Sequence, residues 1–255
     1  MARIFITGST DGLGRAAAQA LVADGHQVVL HARNGTRAAD LGDLSERHSG
    51  LVIGDLSSAM QTRSVAAQVN ALGTMDAVIH NAGIYTTPER GSTAEGHATI
   101  LAVNTLAPYI LTALITRPAR LIYMSSGLHR GGEGSLDDLD WQSRAWNPAK
   151  AYAESKLHLA ALAMALSRRW PEVLSNAVDP GWVRTRMGGP GALLDIDTGQ
   201  RTQSWLAASE DPRARASGGY WHAMREDEPV DEVKDTAFQD QLIGKLQELT
   251  GVGLP

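Results

Sequence analysis

The sequence predicts an α/β fold, a doubly wound parallel sheet of about seven strands with helices on both faces, in one domain spanning residues 1–255. Three observations predict it. The chain opens on a β-branched strand that runs into glycines and then into a helix, and the same strand–helix alternation continues through three βαβ units. The length of 255 residues, 43% of them hydrophobic, suffices for one large core.

The first strand is Ile4-Phe5-Ile6, and Ala16, Ala17, Ala18, Ala20 and Leu21 favour the helix that follows. The turn between them, Gly8-Ser9-Thr10-Asp11-Gly12-Leu13-Gly14, is the predicted seat of a diphosphate. Bare Cα atoms let the backbone approach phosphate oxygens, and the helix start directs unpaired N–H groups at them. The second strand is expected over residues 26–32, with Arg33 and Asn34 at its end. In a doubly wound sheet this tip meets the adenosine ribose, where a carboxylate suits a free 2′-hydroxyl and a cation suits a 2′-phosphate. Ala32 and Arg33 supply a cation and no carboxylate, so NADP(H) is preferred and NAD(H) possible.

A third strand, residues 51–54, delivers Asp55 and Leu56 at its carboxyl end. Asp55 has two readings there, receiving the adenine amino group or capping the helix expected from about Ser58 to Leu72. The fourth strand, residues 75–80, carries Asn81, Ala82 and Gly83. A long apolar helix is expected over residues 93–115 with Asn104 inside it, and a buried amide needs partners. The fifth strand, residues 120–124, leads to Ser125 and Ser126, and ligands of open parallel sheets bind beyond such ends. Residues 127–151 form a glycine- and aspartate-rich loop with Trp141 and Trp146, lining a substrate cleft or padding the surface. The helix expected over residues 151–169 is apolar nearly all round and must be covered on most sides. Tyr152 and Lys156 stand one turn apart on it. A sixth strand, residues 173–178, ends in Asp179-Pro180-Gly181-Trp182-Val183-Arg184-Thr185. The region 186–218 is expected to cover the substrate, glycine-rich to about residue 197 and then helical over about 200–209. A short strand at 219–222 and a helix over about 235–249 complete the chain.

Composition narrows the function. Zero cysteines exclude disulfides and thiolate metal sites, and the eight histidines show no spacing that gathers ligands on one helix face, so no metal is expected. A net charge of −5 offers no basic surface, which argues against nucleic acid as a partner. No run approaches a membrane span, and the first strand begins almost at Met1, so a cytoplasmic protein is expected.

Thr7-Gly8-x-x-x-Gly12-x-Gly14, Asn81-Ala82-Gly83, Asn104, Ser126, Tyr152-x-x-x-Lys156 and Pro180-Gly181, in this order, resemble the short-chain dehydrogenase/reductase family. The Gly8 to Gly12 gap is similar to that of its single-domain oxidoreductase branch, and the 126–152 segment with Gly218-Gly219-Tyr220-Trp221 to retinol-dehydrogenase-like and protochlorophyllide-reductase-like members. The resemblance implies a Rossmann-like fold and an NADP(H)-dependent transfer of hydride between nicotinamide and a carbonyl/alcohol substrate. It implies Tyr152 as general acid/base and Lys156 as the cation that favours its phenolate and reaches the nicotinamide ribose. It also implies that Ser126 holds the substrate oxygen, that Asn104 holds a relay water, and that Pro180, Gly181, Val183 and Thr185 lie beside the nicotinamide. It further implies a possible homodimer or homotetramer through the Asn104 and Tyr152 helices, against which packing within one chain explains the apolar helix equally. Two positions depart from the pattern: His80 replaces an asparagine, and Asp11 stands where NADP-preferring relatives often carry a basic residue. Two other readings are a catalytically silent dinucleotide-sensing regulator, opposed by the intact Ser126, Tyr152 and Lys156, and a redox-neutral epimerase or dehydratase, opposed by the glycine spacing.

Overall fold

A computed structural model describes residues 1–85 and 88–255. In chain order the strands are β1 Arg3–Ile6, β2 Gln27–Ala32, β3 Gly50–Ile53, β4 Ala77–His80, β5 Arg120–Met124, β6 Leu174–Asp179, β7 Tyr220–His222 and β8 Arg225–Asp227. The α-helices are α1 Gly12–Ala23, α2 Gly35–Ala39, α3 Ala59–Ala71, α4 Thr99–Leu101, α5 Ala107–Leu114, α6 Pro148–Arg169, α7 Ile196–Ala208, α8 Asp231–Lys234 and α9 Thr236–Thr250. The sheet order is β3-β2-β1-β4-β5-β6-β7-β8, parallel as far as β7. Because the chain crosses from β3 over to β4, the strand order reverses between β1 and β4, and a crevice opens beyond their carboxyl ends.

Side-chain alternation divides the core into two layers. Ile4 and Ile6 join Val28, Leu30, Ile79 and Met124 under α1 and α7, while Phe5 joins Val29, Val78, Leu121 and Tyr123 under α3, α5, α6 and α9. A strand covered on both faces needs apolar residues at every position, which is why these strands are continuous hydrophobic runs.

The structure holds an eighth strand that the sequence reading lacks. β8 is Arg225-Glu226-Asp227, exposed throughout and antiparallel to β7, so the hairpin edge carries no hydrophobic alternation to detect. The long helix expected over 93–115 begins instead at Thr99. Its first turn is fixed from afar, because the Asp140 carboxylate accepts from the Ala98 amide at 2.8 Å and meets His97 Nδ1 at 2.7 Å. It then widens into a π-helix over Ala102–Leu106, centred on Asn104, before α5. α6 starts earlier than expected, at Pro148, where Asn147 accepts from the Lys150 amide at 3.0 Å and proline occupies the first turn. His80 leaves the β4–β5 register intact, pairing opposite Tyr123 and stacking on its ring at 4.7 Å.

The apolar face of α6 is covered within the chain. Leu157, Leu159, Ala160, Ala163 and Leu166 are fully buried, packed in one cluster with Phe238, Leu242 and Leu246 of α9. The terminal tail then crosses α5 and α6, with the Tyr109 hydroxyl donating to the Val252 carbonyl at 2.8 Å and the Trp170 indole to Pro255 at 3.2 Å. The apolar surround that suggested a subunit interface is thereby accounted for by packing within one chain. Within 186–218, α7 packs against α1 and buries Leu206 and Ala207, so the longest stretch without regular structure is the one before Ile196. Among the described residues no helix is long and apolar enough to cross a membrane, and no cluster of three or more His, Asp or Glu is arranged to hold a metal.

Candidate active site

The glycine turn sits at the carboxyl end of β1. Gly8 and Gly12 adopt φ of +64° and +54°, where a side chain would strain the backbone. Gly14 is required by contact instead, since a Cβ there would lie 2.4 Å from the Gly8 carbonyl oxygen and 2.3 Å from Asn81 Nδ2. The Asn81 amide donates to the Thr7 and Gly8 carbonyls at 2.9 and 3.3 Å, and the Thr7 hydroxyl accepts from the Ala82 amide at 2.9 Å. Thus Thr7 and Asn81-Ala82-Gly83, 74 residues apart at Thr7–Asn81, form one clasp between β1 and β4.

A residue to which the sequence reading gave no role holds the other side of the turn. His31 Nδ1 accepts from the Gly8 amide at 2.9 Å, and Nε2 lies 2.9 Å from the Gly54 carbonyl, a geometry that assigns the neutral Nε2–H tautomer. Burial pushes its pKa down, outweighing the Gly54 contact. The Ser9 hydroxyl accepts from the His31 amide at 2.8 Å, so this buried side chain braces the turn from beneath. Thr10, Asp11 and Leu13 lie on the same turn, with Asp11 as the N-cap of α1.

At the tip of β2, Arg33 is exposed and makes no hydrogen bond or ion pair among the described residues, while Asn34 caps α2 by accepting from the Arg37 amide at 3.0 Å. Asp11 does not stand alone there. Arg37 Nη2 lies 3.0 Å and Arg186 Nη2 3.4 Å from its carboxylate. Burial raises the Asp11 pKa, but the Arg37 hydrogen bond, the Gly12 amide and the two arginine charges outweigh it and hold the group below its ordinary value. Asp55 accepts from the Ser57 amide and hydroxyl through one oxygen only, at 2.9 and 2.8 Å, and Ser58, not Asp55, caps α3. The other Asp55 oxygen makes no hydrogen bond among the described residues, and Leu56 is buried beside it.

The catalytic candidates converge beyond β4, β5 and β6. Tyr152 and Lys156 project from α6 toward Ser126, which follows β5. Ser126 stands near enough to the Tyr152 hydroxyl to favour its ionised form. Lys156 Nζ donates to the Met124 carbonyl at 2.7 Å and lies 5.4 Å from the Tyr152 ring centroid. Asn104 turns its amide on the backbone, accepting from the Ile84 amide at 2.8 Å and donating to the Ile84 carbonyl at 2.9 Å and the Ser155 hydroxyl at 3.0 Å. A Cβ on Gly83 would lie 3.3 Å from Lys156 Nζ and 3.5 Å from Asn104 Oδ1, so a side chain there would press on the lysine.

Burial pushes Tyr152 up to about 12, helped by Tyr85 and Asp179 and opposed by the nearby Ser126. Burial alone pushes Lys156 down to about 8. The protein groups by themselves therefore keep Tyr152 as a phenol, a proton donor, rather than the phenolate that proximity to Lys156 suggested from sequence.

Pro180 and Gly181 turn the chain after β6, with Gly181 at φ +76° and its amide donating to Asp179 Oδ1 at 2.9 Å. Val183 bridges to Leu194, and Thr185 reaches across to Gly12, whose Cβ would sit 3.7 Å from the Thr185 methyl. The two ends of the predicted site thus meet. Several residues at the site carried no sequence motif. Tyr85 packs edge-on against Tyr152 at 4.7 Å. His129 fixes the loop after Ser126, contacting the Ser126 carbonyl at 2.7 Å and accepting from the Val230 amide at 3.2 Å. Their only sequence signal is a polar or aromatic side chain within a few residues of a strand's carboxyl end.

A family model described as enoyl-(acyl carrier protein) reductase matches residues 8–210. An uncharacterized oxidoreductase of Emericella nidulans is 42% identical over 260 residues, covering 100% of this chain and 99% of its own. Retinol dehydrogenase 13 of Homo sapiens is 28% identical over 284 residues, covering 99% and 85%. Among solved structures, NADPH-bound carbonyl reductase from chicken fatty liver superposes with a TM-score of 0.67 at 24% identity, covering 89% of this chain and 98% of that one. The clasp from Thr7 to Asn81, the Ser126–Tyr152–Lys156 group and the matched span of 203 residues lead to one assignment, and the chain belongs to the short-chain dehydrogenase/reductase family as an oxidoreductase with retinol-dehydrogenase-like features.

Proposed function

We propose that the protein is an NADP(H)-dependent oxidoreductase that interconverts a small-molecule carbonyl and its alcohol, with Tyr152 as general acid/base. The observation that carries this reading is the buried Tyr152 phenol, flanked by Ser126 and backed by Lys156, at the mouth that Thr185 and Gly12 close from the other side.

The turn fits a dinucleotide. Gly8 and Gly12 shape the turn at positive φ, the α1 N-terminus faces it, and Arg33, exposed and without a partner among the described residues, stands where a 2′-phosphate would lie. Gly8, Ser9, Thr10, Asp11, Gly12, Leu13 and Gly14 would hold the diphosphate, and Arg33 and Asn34 the ribose phosphate. Asp55 and Leu56 would hold the adenine. Asn81, Ala82 and Gly83, with Tyr152, Lys156, Pro180, Gly181, Val183 and Thr185, would hold the nicotinamide half. The NADPH carried by the chicken carbonyl reductase supports this choice. When bound, the cofactor supplies the hydride. Ser126 holds the carbonyl oxygen, Tyr152 donates its proton to that oxygen, and Lys156 restores the balance of charge beneath the phenolate that results. Asn104 shapes the π-turn that keeps Ile84 and Ser155 in place around the proton path. A phenol held protonated by burial favours the reductive direction.

The test is deuterium transfer. NADPH deuterated at nicotinamide C4 is incubated with a panel of apolar aldehydes and ketones, and the alcohol is expected to carry deuterium on the former carbonyl carbon. Cofactor binding without turnover of any panel member would indicate the regulator, and redox-neutral conversion the epimerase or dehydratase.

A further inference from the structure

The segments that follow β4, β5 and β6 combine exposed apolar side chains with the Asp179 carboxylate. Tyr85, Leu128, Trp182, Met187 and Leu193 are exposed large hydrophobics, and all follow the carboxyl ends of β4, β5 or β6. Exposed apolar side chains concentrated at a cleft mark the surface a ligand covers. The Asp179 side chain is only 14% exposed. One oxygen, Oδ1, is held by the Gly181 amide at 2.9 Å. The other, Oδ2, faces Gly127, where an added Cβ would lie 3.0 Å away, and so borders the backbone immediately after Ser126. His222 Nδ1 stands 3.6 Å from Oδ2 but 3.1 Å from the Asp179 carbonyl, so the ring turns to the backbone and leaves Oδ2 short of a close donor. A half-buried carboxylate oxygen with no close donor is costly to desolvate unless a ligand supplies one.

We propose that Asp179 reads the substrate. Resting on the oxidoreductase reading above, the inference is that Asp179 Oδ2 accepts a hydrogen bond from a hydroxyl next to the reacting carbonyl of an aromatic ketone, and turns away ketones bearing a carboxylate at that place. The distance argument favours an adjacent hydroxyl, because Ser126 grips the carbonyl oxygen and Oδ2 borders the very next residue. A hydroxyl donor completes the carboxylate beside the His222 imidazole, and the apolar rim covers the arene. Gly127 keeps the approach open.

The experiment compares 2-hydroxyacetophenone, propiophenone and benzoylformate, which place a hydroxyl, a methyl and a carboxylate beside the same aryl ketone, at saturating NADPH. The wild type is expected to favour the hydroxyketone over propiophenone in kcat/KM by about tenfold, the effect of one hydrogen bond to a charged group, and to use benzoylformate least. Asp179→Asn retains an acceptor for the Gly181 amide, and the hydroxyl-to-methyl ratio is expected to fall toward one while benzoylformate gains about tenfold relative to propiophenone. Gly127→Ala, which sets a methyl against Oδ2, is expected to lower the hydroxyl-to-methyl ratio in the same direction. Ratios within one protein cancel any general loss of folded enzyme. Unchanged ratios in both variants, or a wild type that reduces other ketones but shows no hydroxyl preference, overturn the role of Asp179 and leave the oxidoreductase reading standing. NADPH oxidation with no carbonyl compound at all overturns both.

Discussion

Two buried histidines mark two ways of holding the loops around this sheet. His31, beneath the glycine turn, has both ring nitrogens paired, to the Gly8 amide and the Gly54 carbonyl. His158, on α6 beneath the 139–146 segment, has neither nitrogen paired among the described residues and borders a small cavity with Trp141, Trp146 and Ser155. The cofactor side is thus held by backbone groups and short polar side chains in fixed geometry. The side proposed to face the substrate is held by tryptophans and several ion pairs, among them Asp140 with His97 at 2.7 Å and Arg144 Nη2 with Glu154 at 2.6 Å, while Trp141 donates to the Glu154 carboxylate at 3.1 Å. A dinucleotide has one shape and one phosphate spacing to match, so its cradle is closed by hydrogen bonds. The segment proposed to face a variable substrate instead hangs on side-chain anchors at Asp138, Asp140 and Glu154, with apolar packing between the tryptophans.

The largest break in this comparison comes at the junction of the two sides. Tyr152→Phe removes only the transferable proton, and kcat is expected to fall by about 10²–10⁴-fold, while NADPH affinity, set by the other side, stays nearly unchanged. Near-wild-type kcat at saturating cofactor would remove Tyr152 from its role. On the substrate side, Arg144→Ala would strand a Glu154 side chain that is only 3% exposed. Breaking such a pair is expected to cost about 3 kcal/mol, at the low end for buried pairs because Arg144 is partly solvated. Chemical denaturation would measure that loss. NADPH affinity in the folded fraction is expected to hold while the ketone KM rises, and a matching fall in NADPH affinity would show that the two sides are not independent.

The polar side was legible in sequence for the reason that makes it rigid. Thr7 and Asn81 satisfy backbone groups across β1 and β4, and Gly14 sits where no Cβ fits, so each residue type is dictated and the order of the motif survives as a pattern. His31 escaped because a histidine inside an otherwise apolar strand looks like one more core residue. The substrate side was less legible. Asp140 fixes a helix start at Ala98, 42 residues earlier, Arg144 finds its partner across a loop, and the covering of α6 by α9 and the chain terminus depends on contacts that no local spacing reveals. β8 escaped because a charged edge strand carries no alternation.

The two sides also divide on cofactor choice and acid sensitivity. Arg33→Ala is expected to erase most of an NADPH over NADH preference of roughly 1.5–3 kcal/mol, the range for hydrogen bonds to charged groups, and equal wild-type affinities in titrations of the two cofactors would overturn the assignment. His158 has its pKa lowered to about 4 by burial and by Arg144. The unfolded chain, at an ordinary histidine value near 6.5, binds the proton more readily. Stability is therefore full above about 6.5 and is lost as pH falls toward 4, by about 2 kcal/mol between pH 6.5 and pH 5. His158→Met is expected to shrink the drop in Tm between pH 7 and pH 5, whereas His80, held at about 3 by burial, keeps part of the slope. An identical drop in wild type and variant would mean that His158 takes up its proton without unfolding.

The smallest effect tests the balance of charge at the ribose. From sequence, Asp11 opposes Arg33 and would repel a 2′-phosphate. The contacts change that expectation, because Arg37 at 3.0 Å and Arg186 at 3.4 Å already neutralise the carboxylate, and Asp11 also caps α1 through the Gly12 amide. Asp11→Lys would therefore forfeit a cap worth about 1 kcal/mol along with the repulsion, and it confounds the two. Arg37→Ala separates them. It removes a positive charge and uncovers a negative one, leaving Asp11 to Arg186, whose side chain is 79% exposed. The Arg37 and Asp11 side chains are themselves 29% and 46% exposed, so the pair belongs to the weak class of about 0.2–1 kcal/mol. NADPH affinity is expected to fall about threefold, NADH affinity hardly at all, and the difference to shrink with added salt as screening shortens the reach of these charges. Equal losses for both cofactors, insensitive to salt, would mean that Arg37 supports the shape of the turn and leaves the phosphate to Arg33 alone.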